Sequence, residues 1–171
     1  VGTLSETGRL LKEVTEKIKA TPEIELHIAG LGPLEDYLVE SAKNCQNIYF
    51  YGQVTNEEAL ELQAGADILF ATYDPSIEIN RNSAPNKTYE AMALGKPIIV
   101  CRDTDADLVV TINESGYAIG YDENEFIEIV YKYKNNEDLK MAHANNALML
   151  YREKYSSPIC GDRLKAIFCN I

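Results

Sequence analysis

Directly after Gly8, apolar residues recur at helical spacing in Leu10, Leu11, Val14 and Ile18, and the run Glu25-Leu26-His27-Ile28-Ala29-Gly30 that follows reads as a strand. Helix precedes strand, and the alternation continues along the chain. The spacing predicts helices over 34–43, 56–63, 86–94 and 105–112, interleaved with short apolar strands over 47–51, 67–71, 97–101 and 117–120. Closing helices are expected over 126–133, 139–151 and 160–168. Strands joined by helical crossovers lie side by side and parallel, so this order predicts an α/β, Rossmann-like doubly wound parallel sheet. Val1-Gly2 stands where a strand should end and turn toward the first helix, so the first strand is expected to be truncated. Tyr73 to Pro85 is the longest segment without periodicity, and a loop of that length in a compact domain is more often functional than idle.

Composition narrows the class. At 171 residues the chain is one domain by length, able to bury roughly 70% of the surface its unfolded form exposes. With 46% hydrophobic and 25% charged residues it is neither disordered nor membrane-inserting, and no apolar run approaches the roughly 18 residues of a spanning helix. A net charge of −11 argues against nucleic acid as a partner. Locally, Ser76 to Arg102 carries a net +2, although adding Asp74 and Asp103 returns the window to zero. Cys45, Cys101, Cys160 and Cys169 have no metal-binding spacing and are expected to be reduced, buried thiols of a cytoplasmic protein. A chain that opens at Val1 without methionine is expected to be a piece of a longer protein, with a partner domain missing.

In open α/β sheets a ligand sits beyond the carboxyl ends of the strands, so the loops there are the candidates. They are Gly2-Thr3-Leu4, Gly30-Leu31-Gly32-Pro33, Gly52-Gln53-Val54 and the long loop ending at Asn86. Glycine lets backbone approach a ligand, and it also simply ends strands. Gly30-x-Gly32 lacks the third glycine and downstream acid of a nicotinamide fingerprint, which disfavours a dehydrogenase. The segment Asn86-Lys87-Thr88-Tyr89-Glu90 is richer: a helix start offers free N–H groups and a partial positive charge, with a carboxylate one turn further in to accept from a diol. Phosphate plus ribose is the ligand these groups suit. His27 is expected to be a core or edge residue, His143 to face solvent on a late helix, and Asp103-Thr104-Asp105 to be a turn and helix cap.

Taken in order, these segments resemble the C-terminal, donor-binding half of the group 1 retaining glycosyltransferases of the GT-B fold. The landmarks are Gly2-x-Leu4 with Gly8, Leu26-x-Ile28-x-Gly30-x-Gly32, Ile48-x-Phe50-x-Gly52-x-Val54, Ala66-Asp67, Tyr89-Glu90-Ala91-Met92-Ala93-x-Gly95-Lys96-Pro97 and Asn113-Glu114-Ser115-Gly116-Tyr117. The resemblance implies that residues 1–171 form a nucleotide-sugar donor domain, with the acceptor bound by an absent N-terminal domain. It implies that Glu90 is the second glutamate of a Glu-x7-Glu motif and holds the ribose. The backbone of Gly52 and Val54 would meet the base, and Gly2, Thr3, Gly30 and Gly32 would be further donor-binding residues. The chain departs from the family where Thr3 and Thr7 replace an arginine and a lysine, and where Asn82 replaces the first glutamate. Asn86 and Lys87 fall where backbone amides approach the phosphates, and Lys87 can supply one lost cation, as in an Asn-Lys variant found among polysaccharide-assembly members. Glu78 and Arg81 are further candidates for sugar or phosphate contact.

The resemblance thus implies metal-independent transfer of a hexose, with retention, from a UDP- or GDP-sugar to a glycan or lipid-linked acceptor in cell-surface polysaccharide assembly. Lys87 and Asn82 are the candidate catalytic residues, and no cofactor beyond the nucleotide sugar is called for. A membrane-surface location stays open for the full-length protein only. Two other readings share the fold: a non-catalytic nucleotide-binding module, and a sugar-nucleotide epimerase, for which no catalytic acid set is found.

Overall fold

A computed structural model of the chain describes residues 2–3 and 8–168. Seven strands alternate with helices: β1 (Gly2–Thr3), α1 (Arg9–Lys19), β2 (Leu26–Ile28), β3 (Gly30–Leu31), α2 (Glu35–Asn44), β4 (Ile48–Phe50), α3 (Asn56–Gly65) and β5 (Leu69–Ala71) form the first half. The second half is α4 (Glu78–Arg81), α5 (Asn86–Leu94), β6 (Ile98–Cys101), α6 (Asp105–Ile112), β7 (Gly116–Ile119), α7 (Glu123–Lys134), α8 (Glu137–Leu150) and α9 (Ser157–Phe168), with a π-helical turn over Tyr151–Tyr155 between the last two. Every pairing is parallel: β1 with β3, β2 with β4, and β5 with β6 with β7. The expected α/β class is observed, and the described part of the first strand is Gly2–Thr3.

Local chemistry explains the boundaries. Thr55 and Glu58 form a reciprocal capping box at the start of α3, and Thr104, Asp122 and Asn136 cap α6, α7 and α8 through their side-chain oxygens. The Asp103-Thr104-Asp105 segment is therefore the turn and cap it was expected to be. Gly95 ends α5 in the left-handed conformation at φ 61°, and Lys96 N donates back to Ala91 O at 2.9 Å. Leu10, Val14 and Ile18 of α1 pack with Leu26, Ile28, Leu38 and Ile48 in one core cluster. All four residues of β6 are buried, the signature of a central parallel strand covered on both faces.

Some expectations need correction. His143 does not face solvent: it is buried, with Nδ1 2.8 Å from the Tyr133 hydroxyl and its ring 5.1 Å from that of Tyr117. Helix α8 packs on α7 and β7 through that face, and burial lowers the histidine pKa while raising that of Tyr133. Of the thiols, Cys101 is buried, while Cys45 and Cys160 are only partly so. The predicted strand over Glu25 to Gly30 breaks at Ala29 into β2 and β3, and the loop over Tyr73 to Pro85 contains the single turn α4. Leu4, Thr7 and Cys169 lie outside the described residues.

Gly116 permits the close approach of β6 and β7, since a Cβ there would stand 1.9 Å from Ile98 O. Gly116→Ala is expected to lower unfolding stability by about 3 kcal/mol, measured by urea denaturation, because main chain and not a flexible side chain must move. A loss below ~0.5 kcal/mol would show that the two strands can part there without penalty.

Candidate functional site

Parallel pairing sends the carboxyl end of every strand to one edge of the molecule, and three glycines meet there. Gly2 lies opposite Gly30 in the β1–β3 register, and Gly30 N donates to Gly52 O at 2.7 Å. Gly30, Gly32 and Gly52 have φ of 147°, 148° and 63°, conformations that side chains disfavour. The structure thus brings Gly2, Gly30 and Gly52 into one row of bare backbone. Thr3 follows opposite Leu31, and half-buried Val54 follows Gly52.

Helix α5 starts at the same edge. Pro85, with φ −63° and a buried ring, occupies its N-cap position. Proline brings no capping side chain, and no side chain among the described residues caps this end. Thr88 N turns back to Pro85 O at 2.9 Å, which leaves Asn86 and Lys87 to lead with their amides, and Asn86 is exposed. Lys87 Nζ lies 2.6 Å from Glu90 Oε2, and the two side chains are 22% and 29% exposed. Neither is a solvated surface residue: each holds the other beside the helix start. Lys87 also lines, with Val54 and Tyr51, a cavity of about 950 Å³ that runs back between the strands.

A helix dipole with leading amides, one lysine and one carboxylate is a site for an anion joined to a hydroxylated group. The carboxylate alone would repel phosphate, whereas Lys87 neutralises it and can turn to the anion when the diol engages Glu90. Asn82 is not drawn into this arrangement; it stands exposed at the C-terminal end of α4. Glu78 is also exposed, and Arg81 folds back so that Nε donates to Pro75 O at 2.6 Å. With Pro75, Ser76 and Asp103 it borders a separate hollow of about 350 Å³.

Arg9 went unnoticed in the sequence. It opens α1, stacks 5.0 Å over the Tyr121 ring, donates to Tyr121 O at 2.9 Å and grips both oxygens of Glu13. Its pKa is raised first by the Glu13 hydrogen bond, and Asp74 adds to the effect. A cation directly after Gly8 was the signal to follow. Glu125 is likewise held, below the usual carboxylate range, by Gly120 N–H and then Arg102. Cys101 is fully buried, and burial pushes its thiol up to about 12, away from the thiolate.

A family model described as "Glycosyl transferases group 1" matches residues 1–136. The chain belongs to this family. Solved structures agree on the fold of a GT-B glycosyltransferase domain. WaaG, a glycosyltransferase involved in lipopolysaccharide biosynthesis, superimposes with TM-score 0.67 at 19% identity over 90% of this chain and 43% of its own. A mutant of S. aureus TarM, in complex with Fondaparinux, alpha-GlcNAc-glycerol and UDP, gives 0.70 at 19% identity over 96% and 34%. AviGT4, a glycosyltransferase involved in Avilamycin A biosynthesis, gives 0.56 at 16% over 88% and 49%. The chain spans less than half the length of each. No curated protein matches it.

In this group 1 glycosyltransferase domain the Lys87–Glu90 pair is expected to matter little for stability. A double-mutant cycle with Lys87→Ala and Glu90→Ala, followed by urea denaturation, should give a coupling of about 0.5 kcal/mol. A coupling above ~2 kcal/mol would assign the pair to holding the fold.

Proposed function

We propose that this domain binds the nucleotide sugar of a retaining hexosyltransferase, which moves a hexose from a UDP- or GDP-sugar to a glycan or lipid-linked acceptor held by a separate N-terminal domain. The observation that carries the reading is the uncapped start of α5 with Lys87 and Glu90 paired beside it, at the edge where Gly2 lies opposite Gly30 and Gly30 bonds Gly52. Membership of the family supports transfer as the reaction, and the presence of UDP with TarM supports a nucleotide in the fold.

Each group then has a task. Glu90 accepts from the ribose hydroxyls, contributing roughly 1.5–3 kcal/mol as a charged acceptor, and so fixes where the anomeric carbon points. As the glycosidic bond breaks, negative charge grows on the departing diphosphate. The amides of Asn86 and Lys87 and the Lys87 ammonium favour that state over the ground state, which is what accelerates the step. Gly30, Gly32 and Gly52 admit the diphosphate and base to the backbone, and Val54 packs on the base. Asn82 can donate to a sugar hydroxyl, but as a neutral amide it adds no charge. No helix among the described residues is long and apolar enough to cross a membrane.

A second reading, a nucleotide-binding module without transfer, draws support from the exposure of Asn82 and the commitment of Arg9 to Glu13 and Tyr121. The full-length protein separates the two. Glu90→Ala or Lys87→Ala is expected to cut turnover about 100-fold or more while the protein stays folded. Unchanged turnover contradicts the assignment of these residues. Nucleotide binding without any transfer by the unmutated full-length protein selects the second reading.

A further inference from the structure

Helix α5 lies on the sheet through small side chains. Ala91 packs with Leu69, Ala71, Ile98 and Val100 of β5 and β6. Thr88, one turn earlier, is buried too, but its hydroxyl has no hydrogen-bond partner among the described residues and anchors nothing. Small side chains present a shallow surface, which sets the height of a helix more firmly than its rotation about its own axis. Rotation decides the chemistry here. Each residue turns the helix by about 100°, so Lys87 and Glu90 share one flank of α5 and Tyr89 stands on the other.

Tyr89 meets the π-helical turn. Its ring lies edge-on to that of Tyr155, with centroids 5.0 Å apart and 62° between the planes. Both rings pack, with Tyr151 and Val109, against a buried cluster of Met92, Ala147 and Leu150. At the other end of α5 a Cβ on Gly95 would stand 3.5 Å from Leu148 Cβ. Helix α8 and the π turn therefore follow α5 from its C-cap back to its first turn. The residues that do so lie beyond the 1–136 matched by the family model.

The turn is held in place. Ser156 N donates to Tyr151 O at 2.8 Å, the five-residue step of a π-helix, a rare element that frequently sits at functional sites. Two of its carbonyls are met from α9: Lys154 O accepts from Arg163 Nη1 at 2.9 Å, and Tyr155 O accepts from Cys160 Sγ at 3.5 Å. Helix α9 thus braces the turn, the turn carries Tyr155, and Tyr155 meets the first turn of α5.

We propose that Tyr155 is a positioning residue of the site at α5. Its ring stops the roll of the helix at Tyr89, and so keeps Lys87 and Glu90 turned to the glycine edge. The effect on ligand rests on the nucleotide reading above, whereas the effect on the setting of α5 does not.

The test uses this chain and two readouts: affinity for UDP or GDP, whichever binds tighter, by calorimetry, and the amide residual dipolar couplings of residues 86–90 without ligand. Tyr155→Leu keeps apolar volume and loses the ring. It is expected to weaken nucleotide binding about tenfold or more and to change those couplings, and Tyr89→Leu is expected to do the same. Tyr155→Phe keeps the ring and should match the unmutated protein within about twofold. Val130→Ala, in the separate core cluster of α1 and α7, should lower Tm while leaving both readouts unchanged. Unchanged affinity in Tyr155→Leu, equal weakening by Val130→Ala, or no rescue by phenylalanine overturns the proposal. If the unmutated protein binds neither nucleotide, the nucleotide reading fails by itself, and the couplings alone then decide: changed in Tyr155→Leu they uphold the positioning role, unchanged they overturn it.

Discussion

The candidate site depends on the burial of β6. Ile98 to Cys101 lie between β5 and β7 with every side chain out of water, and each fully buried aliphatic residue contributes roughly 1.5–3 kcal/mol. Its register against β7 is pinned at Gly116, opposite Ile98, because a side chain in that place would stand against Ile98 O. Gly95 and Lys96 tie α5 to its start: the left-handed glycine and the bond from Lys96 N to Ala91 O fix the angle at which helix turns into strand. With β6 and that angle fixed, the N-terminus of α5 must point to the edge where the parallel strands end. The electrostatics of the site are therefore a consequence of packing several residues away.

The Lys87–Glu90 pair works within that geometry. Two half-buried groups of opposite charge, 2.6 Å apart, add little to stability, since partial solvation screens the attraction. In the proposed reading each holds the other at the helix start in an orientation a phosphate and a diol can take over, and binding would exchange one ion pair for two charge-assisted contacts. The uncapped helix end supplies the remaining donors at no cost in rearrangement.

Much of this was legible in the sequence. Helical and strand periods placed nearly every element, because β6 and α1 bury whole faces and leave clear patterns. Lys87 and Glu90 could be located by their spacing on a helix, and the glycine ends by their position after strands. What periodicity could not show was long-range: His143 is buried because Tyr133, ten residues away, meets it across a helix pair, and Arg9 is bound by Tyr121 from the far end of the sheet. Nor did the sequence reveal that Asn82 would stand apart from Lys87, since the four-residue α4 inside an irregular loop has no period to read.

The central claim is that nucleotide is received at the start of α5 and on the glycine row beside it. Amide chemical shifts of the ¹⁵N-labelled protein, followed as UDP and then GDP are added, test it most directly. The account predicts that the largest changes fall on Asn86, Lys87, Gly30, Gly52 and Val54. Changes centred instead on Arg81 and Asp103, or none with either nucleotide at millimolar concentration, would contradict it.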